Sequence, residues 1–271
     1  MRREEMNRKG LFGAVLGAAL VCGLSFSAMA AEKTEGDGFA SPEAAAAAYV
    51  EAFKNEDMDQ MLSAFAVETF AANFDFDEYV ENTQMYAPTV DFIPNTGAVS
   101  ERLNAEAQRG VITKEARYQY LTLSGWKGAD YAQNAAMLSD FGSGAQLREG
   151  IFGSDEQSVF ADMELLGFVD MAALNDSYAG MAENMKAALP KNFGADEAQP
   201  LAAYIKSNGK NWIMCLDAGK YGDSWYLIKA HGSLEYAMNT SVNYLTGGIV
   251  AEDTLTQAEM DVASAVTAYQ E

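Results

Sequence analysis

Side chains that could carry catalysis are sparse in this sequence. Its 271 residues include one histidine, His231, and two cysteines, Cys22 and Cys215. A Ser-His-Asp triad would have to use His231, which ends a strand-like run beside Gly232. That setting is typical of a solvent-facing or locally bonded imidazole rather than a catalytic one. One histidine and so few cysteines are also too few for a zinc site, so we expect no bound metal and no cofactor.

The motifs of other common chemistries are missing. Gly142-Ser143-Gly144 lacks the Gly-x-Ser-x-Gly spacing of a nucleophile elbow, and no dinucleotide-binding or phosphate-binding glycine loop is present. The densest acidic run, from Asp75 to Glu81, lacks the glycine and carboxylate spacing of an EF-hand. A solvated helix start explains that run, so the sequence gives no catalytic signature.

The N-terminal residues predict export. Basic residues precede an apolar run from Leu11 to Phe26, and Ala28-Met29-Ala30 offers the small residues that signal peptidase requires. We therefore expect a signal peptide over 1–30, no membrane span, and an extracellular or cell-envelope location. Val21 before Cys22 disfavours a lipoprotein. The net charge of -21 excludes nucleic acid as a partner, because phosphate contacts need clustered Lys and Arg.

Residues 41–66 predict a helical hairpin. Ser41 and Pro42 suit the start of a helix, whose apolar stripe includes Tyr49 and Phe53. Asp57 suits the cap of a second helix. Before the hairpin, residues 31–38 are polar and predict a flexible leader.

Residues 39–250 are expected to form one α+β domain with a helical insertion at about 88–160. Within the insertion the pattern predicts helices over 100–108 and 113–123, separated by Gly110, although Tyr118, Tyr120 and Thr122 make the second segment equally compatible with a strand. A strand over 164–169 and a helix over 176–189, ended by Pro190, are expected next. Residues 251–271 predict a C-terminal helix or tail, with the helix over 257–269.

Three runs rich in aromatic and aliphatic residues, 201–206, 211–217 and 224–231, predict an antiparallel meander. Asn208-Gly209 suits a two-residue turn, because both residues accept a positive φ. That turn would place Leu201, Ala203 and Ile205 opposite Leu216, Met214 and Trp212 on one face. Both faces carry apolar side chains, so we expect the hairpin helices on one face and the insertion or a partner on the other.

The hairpin SPEAAAAAYVEAFKNEDMDQMLSAFA and the closing KNWIMCLDAGKYGDSWYLIKAHG together resemble secreted bacterial proteins of the nuclear transport factor two-like, or cystatin-like, superfamily. The resemblance implies a roll in which a curved sheet wraps the N-terminal helices and leaves a conical pocket. Enzymes with this roll usually place Asp, His or Tyr in the pocket, so the resemblance nominates Asp217, Tyr221 and His231. Aromatic residues available to line a ligand pocket are Tyr49, Phe53, Trp212 and Trp225, although such residues more often form core.

Three functions remain open from the sequence. The leading hypothesis is a non-enzymatic exported module that binds a small apolar ligand or a protein at the bacterial cell envelope. The first alternative is a small-molecule dehydratase or isomerase of the same fold, for which a carboxylate in contact with His231 inside a cavity would be the structural sign. The second is an acidic docking surface for a basic partner.

Overall fold

A computed structural model describes residues 33–83, 91–125, 142–152, 160–236, 238, 246–256 and 260–270. The predicted signal peptide over 1–30 and residues 126–141 of the insertion lie outside these ranges. The chain divides into two compact units, Met1–Lys33 and Thr34–Glu271, and all described residues except Lys33 belong to the second.

The described residues combine helices with an antiparallel sheet, which confirms the α+β class. No helix among these described residues is long and apolar enough to cross a membrane. The helices and strands, in chain order, are α1 Pro42–Lys54, α2 Met58–Ser63, α3 Glu68–Asn73, α4 Phe76–Thr83, α5 Ala98–Leu123, α6 Gly144–Phe152, β1 Glu164–Val169, α7 Met171–Leu174, α8 Asp176–Phe193, β2 Glu197–Ser207, β3 Lys210–Tyr221, β4 Ser224–Lys229, β5 Ile249–Ala251, α9 Glu252–Thr256 and β6 Val266–Thr267, with 3-10 helices at Ser233–Tyr236 and Ala263–Ala265.

The predicted helical hairpin is confirmed as α1 and α2. The Ser41 hydroxyl accepts a hydrogen bond from the Ala44 N–H at 3.1 Å, and the Asp57 carboxylate accepts one from the Gln60 N–H at 3.0 Å. Each side chain thereby satisfies a backbone donor that the first turn leaves unpaired. The apolar stripe of α1 packs against the sheet, as the sequence predicts.

The sheet has the strand order β4-β3-β2-β1-β6, and β5 also pairs with β3. Asn208 and Gly209 form the turn between β2 and β3, with φ of 52° and 68°. The register places Leu201, Ala203 and Ile205 opposite Leu216, Met214 and Trp212, which confirms the predicted pairing. Strand side chains alternate, so this register sends Tyr204, Ile213 and Cys215 to the other face, where they join a second core.

The two faces are covered differently from the sequence prediction. The insertion helix α5 contributes Ile112, Ala116 and Leu123 to the core that contains the hairpin, so it lies on the hairpin side. The second face is covered by residues from α7 and α8, from the segment after β4, and from the C-terminal segment. The helical insertion is confirmed, but its expected position on the second face is wrong.

Gly110 does not interrupt α5, so the two predicted helices are one. The buried positions of α5 follow a single stripe through Asn104, Gln108, Ile112, Ala116 and Gln119. Gln108 Nε2 donates to the Ile228 carbonyl at 2.9 Å, and Gln119 Nε2 donates to the Ala230 carbonyl at 2.6 Å. These tertiary bonds fix the helix on both sides of Gly110 and outweigh the weak helix propensity of that glycine.

Pro190 does not end α8, which continues to Phe193. Proline removes one backbone donor, yet two contacts hold the last turn. The Phe193 ring packs 5.7 Å from the Phe70 ring, and Asn82 Nδ2 donates to Asn192 Oδ1 at 2.6 Å. The prediction of a stop at Pro190 was therefore wrong.

The described part of the predicted C-terminal helix over 257–269 is not an α-helix. Val266 and Thr267 instead form β6, which pairs with Val169 and Phe168 of β1. A distant strand supplies that partner, so local periodicity does not reveal it.

The predicted flexible leader makes specific contacts from Thr34 onward. Glu35 is buried, and its carboxylate accepts hydrogen bonds from the Val67 and Thr69 N–H groups at 2.8 and 2.9 Å. Phe39 then bridges to Trp225 of β4. These contacts attach residues 34–39 to the start of α3 and to the sheet.

Candidate functional site

A groove of about 500 Å³ opens at the margin of the sheet, and we call it the edge groove. Its walls come from consecutive residues of three segments: 168–172 at the end of β1, 199–202 in the first half of β2, and 267–270 after β6. Side chains of α8 close it from another side. Successive side chains of a strand point to opposite faces of the sheet. Residues 199–202 of β2 are consecutive and all line the groove, so the groove lies along the margin of β2 rather than over one face of the sheet.

The groove exists because the pairing of β1 with β2 ends before β2 does. The pairing of β1 with β2 runs only as far as Phe168 opposite Ala203. Beyond it the Asp170 N–H donates to the Ala265 carbonyl at 2.8 Å, and the Asp170 carboxylate accepts from the Ala172 N–H at 3.0 Å. Asp170 therefore ends the strand and caps α7, while β2 extends along the groove past the end of β1, still paired with β3 on its other side.

The lining combines apolar and charged side chains. The Phe168 and Tyr269 rings meet edge to face with centroids 5.9 Å apart, and Leu234 also contributes to the walls. Three carboxylates belong to the lining, those of Glu43, Asp170 and Glu183. Its one lysine, Lys186, is bonded to Glu183 at 2.9 Å. The net charge of the lining is therefore negative, which disfavours anionic ligands.

The sole histidine lies in a separate buried polar cluster. His231 is 7% exposed, and its Nε2 is in hydrogen-bond contact with Glu235, which is 1% exposed. The Thr246 hydroxyl donates to the other oxygen of Glu235. A buried carboxylate requires such partners, because an isolated charge in the interior is strongly unfavourable.

Asp217 belongs to the same cluster and is fully buried. Its carboxylate accepts hydrogen bonds from the Ser233 N–H at 3.0 Å and from the Ser233 hydroxyl. Burial raises the pKa of the Asp217 carboxyl, against the opposing effects of Lys229 and the Ser233 bonds. Asp217 and His231 thus both hold the short segment that follows β4.

Glu115 of α5 completes the cluster from the opposite side. Its Oε2 accepts the Ala230 and His231 N–H groups, each at 2.9 Å. Burial raises the pKa of the Glu115 carboxyl as well, although Lys229 and these bonds oppose the rise. Neighbouring Gly232 lies so close to the Leu216 backbone that a Cβ would collide with it. Glu115 and Asp217 therefore position backbone, and Glu235 holds the side chains of His231 and Thr246.

The structure does not bring the three nominated catalytic residues together. The Tyr221 hydroxyl donates a hydrogen bond to the Phe193 carbonyl at 2.8 Å, and burial raises the pKa of Tyr221. A carboxylate does contact His231, but it is that of Glu235. Asp217, Tyr221, His231 and Glu235 do not line the edge groove.

The four aromatic residues suggested for a pocket are engaged elsewhere. Tyr49 and Phe53 lie in the core, where the Tyr49 hydroxyl donates to Gln119 Oε1 at 2.6 Å and Phe53 packs on Phe160. Trp212 Nε1 donates to the Ser207 carbonyl at 3.0 Å, and the Trp225 ring lies 5.9 Å from the Lys220 ammonium. None of the four lines the edge groove.

Sequence reasoning missed the groove because its walls meet only through non-local pairing. The strand containing Phe168 was predicted, but Tyr269 was assigned to a helix. Within the ranges that the structure describes, no group of three His, Cys, Asp or Glu side chains is arranged to hold a metal ion.

Comparison with known proteins adds little. No protein-family model and no curated protein matches the chain. The chain is similar to a crystal structure described as a cystatin-like protein from Ruminococcus gnavus ATCC 29149, with 16% identity and a TM-score of 0.41. The match covers 78% of this chain and 44% of that one. At this score the likeness carries no argument, so the fold described above rests on its own strand pairing.

Proposed function

We propose that this chain is an exported, non-enzymatic binding module whose ligand occupies the edge groove. The observation that carries the proposal is the groove itself: its volume of about 500 Å³ lies within the range of ligand sites. Its apolar walls and few charged groups also suit a binding site. The signal-like N-terminus supports export, and the cell envelope is the proposed location.

The negative net charge of the groove lining indicates which class of ligand it can bind. The lining contains three carboxylates and one lysine, and that lysine is paired with one of the three carboxylates. A neutral or cationic ligand with an apolar body therefore fits best. An enzymatic role for His231 has less support, because the Glu235 contact lies in a buried cluster that does not line the groove.

A thermal-shift screen of neutral and cationic compounds tests the proposal. Ala182→Trp and Ala172→Trp each add bulk to the groove lining, while Ala187→Trp is the matched control on the exposed side of α8. Ala172 is exposed, so its variant should fold even if Ala182→Trp does not. We expect hits that raise Tm for the wild type and the control but not for the filled variants. Equal shifts in all four proteins, or no hit for the wild type, would refute the proposal.

A further inference from the structure

The turn between β2 and β3 is the one place in the sequence where asparagine directly precedes glycine. Asn208 and Gly209 are both exposed, and both have a positive φ. An asparagine before glycine is especially prone to lose its side-chain amide, because glycine has no side chain to shield its backbone nitrogen. The turn that sets the register of β2 with β3 therefore contains a chemically labile pair.

The loss of the amide follows a defined atomic course. The Gly209 backbone nitrogen gives up its proton and attacks Cγ of the Asn208 side chain, and the side-chain nitrogen leaves as ammonia with that proton. Water then opens the cyclic imide, at one carbonyl to give aspartate and at the other to give isoaspartate. Isoaspartate lengthens the main chain of a two-residue turn, so it would disturb the register of the two strands.

Asp162 holds the nitrogen that would attack. Its Oδ1 accepts the Asn208 N–H at 2.9 Å, and its Oδ2 accepts the Gly209 N–H at 3.0 Å. These bonds, with a smaller contribution from Lys206, lower the pKa of the Asp162 carboxyl, so it is ionised near neutral pH. Loss of the Gly209 proton would create a negative nitrogen beside this carboxylate, and two like charges in contact repel. Asp162 therefore disfavours the first step of the reaction.

The core fixes the position of Asp162. Asp162 itself is exposed, but the nearby Phe160 and Met163 are each 1% exposed. The Phe160 ring lies 5.2 Å from the Phe53 ring between centroids, and the Met163 N–H donates to the Phe160 carbonyl at 2.9 Å. Both residues belong to the core that contains the hairpin. The Asp162 carboxylate is therefore held against the turn by a segment that is itself anchored.

We propose that Asn208 is a latent deamidation site, and that Asp162 protects it by holding the Gly209 N–H. The two bonds that stabilise the turn also suppress the attack of its backbone on its own side chain. The inference does not depend on the edge groove, because Asn208 does not line that groove.

Incubation of the folded protein in mildly alkaline buffer tests this inference. The wild type and three variants, Asp162→Ala, Asp162→Ser and Trp212→Phe, are each kept below their own Tm. Peptide mapping by mass spectrometry then follows the conversion of Asn208 to the acid. Neither Asp162 variant can accept both N–H groups, and either one tests the proposal if the other folds poorly. Trp212→Phe is the control: it removes a bond to the Ser207 carbonyl in the same hairpin and leaves Asp162 intact.

Asn208 should convert about threefold faster, or more, in the Asp162 variants than in the wild type, as expected for the loss of one hydrogen bond at the attacking nitrogen. The Trp212→Phe rate should stay close to that of the wild type. Exposed Asn55, which precedes Glu56 rather than glycine, is the internal reference and should convert equally slowly in all four proteins.

Equal rates at Asn208 in the wild type and the Asp162 variants would overturn the proposal. An acceleration in Trp212→Phe as large as that in the Asp162 variants would also overturn it, because the protection would then come from the hairpin as a whole rather than from Asp162.

Discussion

At the scale of single residues, the unusual feature is a set of two buried carboxylates and one half-buried carboxylate around one short segment. Glu115, Asp217 and Glu235 come from α5, β3 and the 3-10 helix Ser233–Tyr236. Together they accept hydrogen bonds from backbone or side-chain donors of residues 230–233 and of Thr246. Leu234, inside this segment, lines the edge groove, so the cluster positions part of the groove wall.

Glu235→Ala should lower the free energy of unfolding by about 3 kcal/mol, because it removes a buried carboxylate that the buried His231 and the half-buried Thr246 share. Urea denaturation measures the change. Glu51→Ala is the control: Glu51 is an exposed carboxylate in a surface pair with Lys54, and its loss should cost less than about 1 kcal/mol. Similar losses in the two variants would contradict a structural role for the cluster.

Glu115 should make stability depend on pH. Its pKa is raised above the ordinary 4.5, so the folded protein keeps the proton at pH values where the unfolded chain has released it. The stabilisation associated with this proton is therefore present below 4.5 and is lost as pH rises through the folded pKa. Glu115→Gln keeps an oxygen for the Ala230 and His231 N–H groups but cannot titrate.

Urea denaturation at successive pH values from about 4 to about 8 should show the wild type losing stability relative to Glu115→Gln across the lower part of that range. A constant difference between the two proteins would show that the Glu115 pKa is the same in the folded and unfolded states.

At the scale of elements, replacing two glycines by alanine should change the stability of the protein in opposite directions. Gly209 has a φ of 68° in the β2–β3 turn, a conformation that is unfavourable for alanine. Gly110 lies in the middle of α5, where a Cβ meets no atom within 4 Å. Gly209→Ala should therefore destabilise the protein by about 1 kcal/mol, and Gly110→Ala should stabilise it by a similar amount. Thermal unfolding of both variants measures this, and a shift of the same sign in both would contradict these backbone assignments.

The sequence predicts the parts of the fold that depend on neighbouring residues. The register from Leu201 to Trp212 follows from a two-residue turn and the alternation of strand side chains, which are local. The sequence predicts two helices separated by Gly110, because a glycine weakens a helix locally. The bonds that keep α5 continuous, from Gln108 and Gln119, reach partners more than a hundred residues away, so the local pattern does not reveal them.

The candidate site was less predictable than the fold. The end of β1, the margin of β2 and Tyr269 meet only once β6 pairs with β1, and that pairing has no signal in local periodicity. The aromatic residues that the sequence does highlight, Tyr49 and Phe53, serve the core. Aromatic content alone therefore does not distinguish a binding wall from a packed interior.

At the scale of the whole molecule, the packed interior and the proposed binding groove lie in different parts of the fold. The hairpin helices and α5 fill one face of the sheet, and the second core fills the other. The edge groove lies where β2 extends beyond β1. A ligand should therefore contact the sheet margin, whereas the roll implied by the sequence resemblance would hold it beside the hairpin.

Methyl NMR of alanine-labelled protein tests this claim most directly. The strongest compound from the thermal-shift screen is titrated into the wild type. We expect the largest shifts at the groove alanines Ala172, Ala179, Ala182 and Ala202, with little change at Ala45, Ala46 and Ala52 of α1. The largest shifts at those three α1 alanines would place the ligand beside the hairpin and contradict the account.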